Sequence, residues 1–162
     1  MSKDWKEKSR PEDLQRLRGF RLMDDDFMSK CFEENIECTE LVLQIVLGRD
    51  DLKVEKVAIQ HQLKNLQGRS VIFDIYATDH AGKRYNVEIQ RADRGAGAKR
   101  ARYHSSLIDA NVTEPGEKLE NLVETYVIFI TERDVLGKGK PIYHIDRVIK
   151  ENGENFGDEA HI

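Results

Sequence analysis

Two alternating runs joined by a short turn constrain this chain more than any other feature. Val71, Phe73, Ile75 and Ala77 alternate with Ile72, Asp74, Tyr76 and Thr78. Tyr85, Val87 and Ile89 alternate with Arg84, Asn86, Glu88 and Gln90. A period of two predicts a pair of half-buried strands. The link Asp79-His80-Ala81-Gly82 predicts a hairpin, with Gly82 free to take a positive φ and His80 as a turn residue. A loop of His80, Ala81 and Gly82 sets Asp79 against Lys83, so that paired residue numbers sum to 162. Asp74 then lies opposite Glu88. The odd-numbered residues form one apolar face, and Asp74, Tyr76, Asn86, Glu88 and Gln90 share the other. A slip of one residue would place Asp74 in the core without a partner, which its charge opposes.

The flanking segments fill in an α/β pattern. Residues 1–20 read as a polar N-terminal arm or short helix, and 21–162 as the folded domain. Asp24-Asp25-Asp26 suits a helix N-terminus. Cys38, Leu41, Val42, Ile45 and Val46 follow at helical spacing as an inward face, and Gly48 is a stop. Val54 to Gln60 reads as a strand and Leu63 to Gly68 as a turn. Ala98 to Asn111 reads as a helix with Ala101, Leu107 and Ile108 inward. Tyr126 to Ile130 has the apolar run of a strand covered on both faces. Ile142 to Ile149 is a further candidate strand. The apolar Ile162 reads as a strand cut short, hence as a truncated C-terminus.

Charge and composition narrow the function. The 162 residues carry 26 Lys and Arg against 30 Asp and Glu, a net charge of −4, so there is no global basic coat for nucleic acid. No apolar run approaches the ~20 residues of a membrane span, and no leader follows Met1, so a cytoplasmic location and no membrane partner are expected. Cys31 and Cys38 cannot build a disulfide scaffold and read as reduced thiols. Gly95-x-Gly97 lacks dinucleotide or Walker spacing, which argues against a nucleotide cofactor. No pair of histidines has zinc-ligand spacing with a cysteine.

Carboxylates directly opposed on neighbouring strands repel unless a cation sits between them. Asp74 and Glu88 offer the hard oxygens that suit Mg²⁺ or Mn²⁺. The plain alternative is two solvated carboxylates on an open sheet face. Between Lys83 and Arg102 there are seven basic residues against Glu88 and Asp93, a local balance of +5, so the rest of the chain carries −9. Positive charge therefore gathers beside the acidic pair, where a phosphate backbone would lie. Arg91, Lys99, Arg100, Arg102 and Tyr103 are the candidate DNA contacts. For Tyr103 packing is preferred over base stacking, and His104 reads as a surface residue, with phosphate contact as the alternative.

Phe73-Asp74-Ile75, Asn86-Val87-Glu88-Ile89-Gln90 and Arg102-Tyr103, in that order, resemble the PD-(D/E)XK nuclease superfamily. Asp26, Phe27, Lys30 and Phe32, with Gly68-Arg69-Ser70, extend the likeness to its recombination-promoting nuclease and transposase (Rpn-like) group. The resemblance implies a restriction-endonuclease-like αβββαβ core, with a mixed central sheet flanked by helices. It implies a metal-dependent DNA endonuclease, with Asp74 and Glu88 binding Mg²⁺ and the Ile89 carbonyl completing the site. Gln90 falls where the superfamily has lysine, which would orient the attacking water and offset charge. Lys99 or Arg102 could lend that charge, and Glu37 or Glu40 could add a ligand from the first helix. The alternative is a nuclease-fold module that binds nucleic acid or assembles with partners without cutting. A homodimer is expected because double-strand cleavage needs two sites.

Overall fold

A computed structural model describes residues 11–19, 21, 23–90 and 96–162. Trp5, Arg91 and Arg94 lie outside the described residues. Three helices come first: α1 (Pro11–Gly19), α2 (Asp25–Phe32) and α3 (Ile36–Leu47). Strands β1 (Val54–Leu63), β2 (Val71–Asp79) and β3 (Arg84–Gln90) follow, then α4 (Ala98–Val112), β4 (Thr125–Thr131) and the short β5 (Ala160–His161). The sheet order is β1-β2-β3-β4-β5. The first three strands are antiparallel, whereas β4 runs parallel to β3 and β5 parallel to β4. A parallel neighbour needs a crossover, and α4 supplies it. This is the mixed sheet flanked by helices of an αβββαβ core. Among the described residues, no helix is long and apolar enough to cross a membrane.

The β2–β3 hairpin forms in the expected register: Ile75 pairs with Val87, Tyr76 with Asn86, Ala77 with Tyr85 and Thr78 with Arg84. Gly82 takes φ 84°, which L side chains rarely adopt. Asp79 fixes the turn from within. Its Oδ1 accepts the N–H groups of Ala81 (2.9 Å) and Lys83 (3.0 Å), and its Oδ2 accepts the Tyr85 hydroxyl (2.8 Å). Three donors make burial of this carboxylate tolerable.

The sheet has an apolar cluster on each face. One gathers Met28, Phe32 and Leu43 from α2 and α3 against Ile75, Ala77, Tyr85 and Val87. The other gathers Ala101, Leu107 and Ile108 of α4 against Leu63, Phe73 and Val127. Phe73 therefore departs from the expected odd-numbered face. Its ring lies 5.0 Å from that of His104 on α4, whereas Ile75 packs toward α2 and α3. The facing strand changes sides at the same level, between the pairs Ile59–Ile75 and His61–Phe73. Between them Gln60 has φ 48°, a left-handed residue that re-aims the rest of β1. Asp74 thus occupies the crossing point of β2.

Two other expectations are corrected. In α3 Cys38, Val42 and Val46 pack against the core as expected, but Leu41 and Ile45 are exposed, and the fully buried residues are Thr39 and Leu43, so the inward stripe is shifted from the apolar pattern. Asn35 caps the Cys38 N–H at one end of that helix, and Gly48 ends it at φ 62°. Residues 142–149 do not form a strand of the sheet. Their backbone is paired locally: Ile145 exchanges two hydrogen bonds with Ile162, and Val148 bridges Asn155. The parallel edge of β4 accepts only Ala160 and His161.

Candidate active site

The site lies where β2 and β3 pass beneath the first turns of α4. The backbone N–H of Ile89 donates to Asp74 Oδ2 at 2.8 Å, which ties the Asp74 carboxylate to the neighbouring strand. Glu88, on the α4 side of β3, is fully buried. Its Oε2 accepts Arg100 Nη2 at 2.7 Å, and its Oε1 has no hydrogen-bond partner. Burial, then the negative charge of Asp74, push the Glu88 carboxyl up to about 7, with Arg100 pulling the other way. The two carboxyls that the sequence pairs are thus brought together and feel each other.

Gln90 is half-buried one pleat further along β3 and accepts Arg100 Nη1 at 3.3 Å. Behind Glu88 lies His104, which is 2% exposed rather than on the surface. Its Nδ1 is 3.0 Å from Asn86 Nδ2, and Arg100 Nε meets its Nε2 at 3.3 Å. Burial, then the charges of Arg100 and Arg69, push the imidazole down to about 4, so it is neutral near pH 7. Its 3.7 Å approach to Glu88 Oε1 is accordingly not an ion pair at that pH.

Lys99 and Arg102 are exposed on α4, flanking the buried Ala101. Among the described residues, the α4 cation that meets Glu88 is Arg100, not Lys99 or Arg102. Tyr103 turns its hydroxyl to the β1–β2 loop, donating to the Arg69 carbonyl and accepting Asn65 Nδ2 at 3.1 Å. Glu40 is remote from the site: it accepts the Val54 N–H at 3.0 Å and binds Lys53 Nζ at 2.7 Å, beside the hairpin end of the sheet. Glu37 is exposed in the first turn of α3.

The donor set fits a hard cation. Glu88 Oε1 is a buried oxygen in want of a positive partner, and Asp74 stands beside it. Among the described residues, no group of three or more His, Cys, Asp or Glu side chains could hold a metal ion. Two carboxylates suit an ion that keeps several waters.

No curated protein and no solved structure matches the chain. A family model, the PD-(D/E)XK nuclease family transposase, matches residues 31–162. That match runs through the hairpin, both carboxylates and α4, and by it the chain belongs to the PD-(D/E)XK nuclease family of transposases.

Proposed function

We propose that the protein is a metal-dependent DNA endonuclease, associated with transposition, that hydrolyses phosphodiester bonds. Glu88 carries this reading: a buried carboxylate that gives Oε2 to Arg100, leaves Oε1 with no hydrogen-bond partner and lies beside a second carboxylate is a place where a further cation offsets the cost of burial. Asp74, Glu88 and the Ile89 carbonyl would hold Mg²⁺ or Mn²⁺. When bound, such an ion polarises a phosphoryl oxygen and lowers the pKa of water. The protein's own groups do the remaining work. The Ile89 N–H orients Asp74. Gln90 positions water or substrate through its amide. Lys99, Arg100, Arg102 and Arg91 hold the DNA backbone as positive charges, and Tyr103 steadies the β1–β2 loop beside them. No nucleotide cofactor is required. A cytoplasmic location accords with a DNA substrate, and a homodimer would place two such sites on the two strands.

Plasmid nicking with Mg²⁺ or Mn²⁺ tests the reading. Cleavage should disappear in Asp74→Ala and Glu88→Ala, and nicking that persists in either would refute it. One observation favours the alternative of a non-cutting DNA-binding module: Gln90 brings no charge, and Arg100 engages both it and Glu88. That alternative expects DNA binding without nicking in the wild type.

A further inference from the structure

Arg100 makes one fork across both motif positions of β3. Nη2 donates to Glu88 at 2.7 Å and Nη1 to Gln90 at 3.3 Å, while Nε meets His104 at 3.3 Å. The guanidinium also lies 5.9 Å from the centre of the Phe129 ring. The two ends of the ion pair differ sharply in access. The Glu88 side chain is 1% exposed and that of Arg100 is 39% exposed. A polyanion can therefore reach the arginine but not the glutamate.

A guanidinium and a divalent ion on the same small carboxylate would repel each other strongly, because the surroundings screen little. The geometry points to Arg100 and a divalent cation as alternative partners of Glu88. Ion binding breaks the guanidinium's bond to Glu88, and its exposed side turns onto a DNA phosphate. This rests on the proposed function, since it requires Glu88 to take an ion. An arginine suits the exchange, because its fork fits carboxylate and phosphate alike. Released, it supplies beside the scissile bond the positive charge that Gln90 lacks. The exchange also has a thermodynamic consequence. An ion that binds only molecules whose Glu88 is free has its apparent affinity lowered by the fraction that is free.

The test is calorimetric titration with Mn²⁺ of the wild type, Arg100→Gln, Arg100→Lys and Asp74→Ala. Arg100→Gln should bind Mn²⁺ about tenfold more tightly than the wild type while nicking DNA more slowly. Arg100→Lys should fall between them, because an ammonium cannot span Glu88 and Gln90 together. Equal or weaker Mn²⁺ affinity in Arg100→Gln overturns the exchange. Should that variant fail to fold, the wild type answers by NMR. The Arg100 Nε–H should be protected from exchange without metal and lose protection as Mg²⁺ is added in the absence of DNA. Protection that persists at saturating Mg²⁺ overturns the inference. A wild type that binds no Mn²⁺, or an Asp74→Ala variant that binds it equally well, defeats the proposed function itself. Normal wild-type binding, lost in Asp74→Ala and unchanged in Arg100→Gln, defeats the exchange alone.

Discussion

The N–H of Ile89 and the Oδ2 of Asp74 meet at 2.8 Å across two antiparallel strands, so the main chain of β3 sets where the β2 carboxylate points. This contact separates the geometry of Asp74 from its charge. Asn at this position keeps an oxygen for the N–H but carries no charge. Asp74→Asn should therefore fold normally while losing Mn²⁺ binding, and its nicking should drop by about 100-fold or more. Asp74→Ala loses the acceptor too, and should be less stable than Asp74→Asn by about 1 kcal/mol. Thermal melts and Mn²⁺ titration of the two variants measure both effects. Equal Mn²⁺ affinity in wild type and Asp74→Asn would show that the charge is not used for metal.

Two buried groups of the site should oppose each other as pH changes. Burial and Asp74 raise the Glu88 carboxyl from 4.5 to about 7. The folded state then binds the proton more tightly than the unfolded one, so the Glu88 contribution to stability is lost as pH climbs from about 4.5 to 7. Burial, with Arg100 and Arg69, lowers His104 from 6.5 to about 4. Here the unfolded state binds the proton more tightly, and stability is lost as pH falls through nearly the same window. In the wild type the two slopes therefore oppose each other. Removing one partner exposes the other. With chelator present, Glu88→Gln should gain stability with rising pH between about 4 and 6.5, and His104→Asn should lose it between about 4.5 and 7. Denaturant midpoints measured across that range give the sign directly, and parallel slopes in the two variants would contradict the assignment.

The α4 cations should separate into two kinds. Lys99 and Arg102 are exposed and, unlike Arg100, make no ion pair with Glu88, so their loss should remove phosphate contacts only. Lys99→Ala with Arg102→Ala should leave Mn²⁺ affinity unchanged. It should weaken DNA binding and reduce the slope of log K against log salt by about 2. Fluorescence anisotropy with a labelled duplex at several salt concentrations measures this. An unaltered slope would place the DNA elsewhere on the surface.

Much of this site was legible because strand pairing obeys a strict period. The alternation of residues 71–78 and 84–90, together with Gly82, admits one register, and it lays Asp74 beside Glu88. The choice among Lys99, Arg100 and Arg102 was harder, since successive helix residues are 100° apart. The signal lay in the stripe of Ala101, His104, Leu107 and Ile108: Arg100 adjoins it one turn before His104, while Lys99 and Arg102 fall outside. The expected surface role of His104 fails because nothing in the local sequence tells a surface histidine from one buried against a strand carboxylate. The exchange of faces at Asp74 was likewise hidden, for it accompanies the backbone angle of Gln60 and leaves no mark in residue type. The C-terminal stretch misled because its apolar residues match a strand, yet their backbone partners lie within residues 145–162.

One buried side chain ties the hairpin turn together, and it gives the most direct test of the fold. Asp79 is 6% exposed and accepts two backbone N–H groups and the Tyr85 hydroxyl. Burial, then the hydrogen bond to Asp79, push the Tyr85 phenol far above its ordinary range, so it remains a donor at any working pH. Asp79→Ala strands three donors around a buried turn, and each unmade bond costs about 1 kcal/mol or more. The variant should lose about 3 kcal/mol of stability, lowering Tm by about 10 °C for a chain of this size. Asp79→Asn keeps one oxygen for the two N–H groups and offers the Tyr85 hydroxyl no second acceptor, so it should lose less. Tyr85→Phe removes the phenol donor alone and should cost less again, about 1 kcal/mol. If Asp79→Ala melted like the wild type, the turn would be fixed by Gly82 and the strand pairing alone, and the register of Asp74 against Glu88 would owe nothing to Asp79.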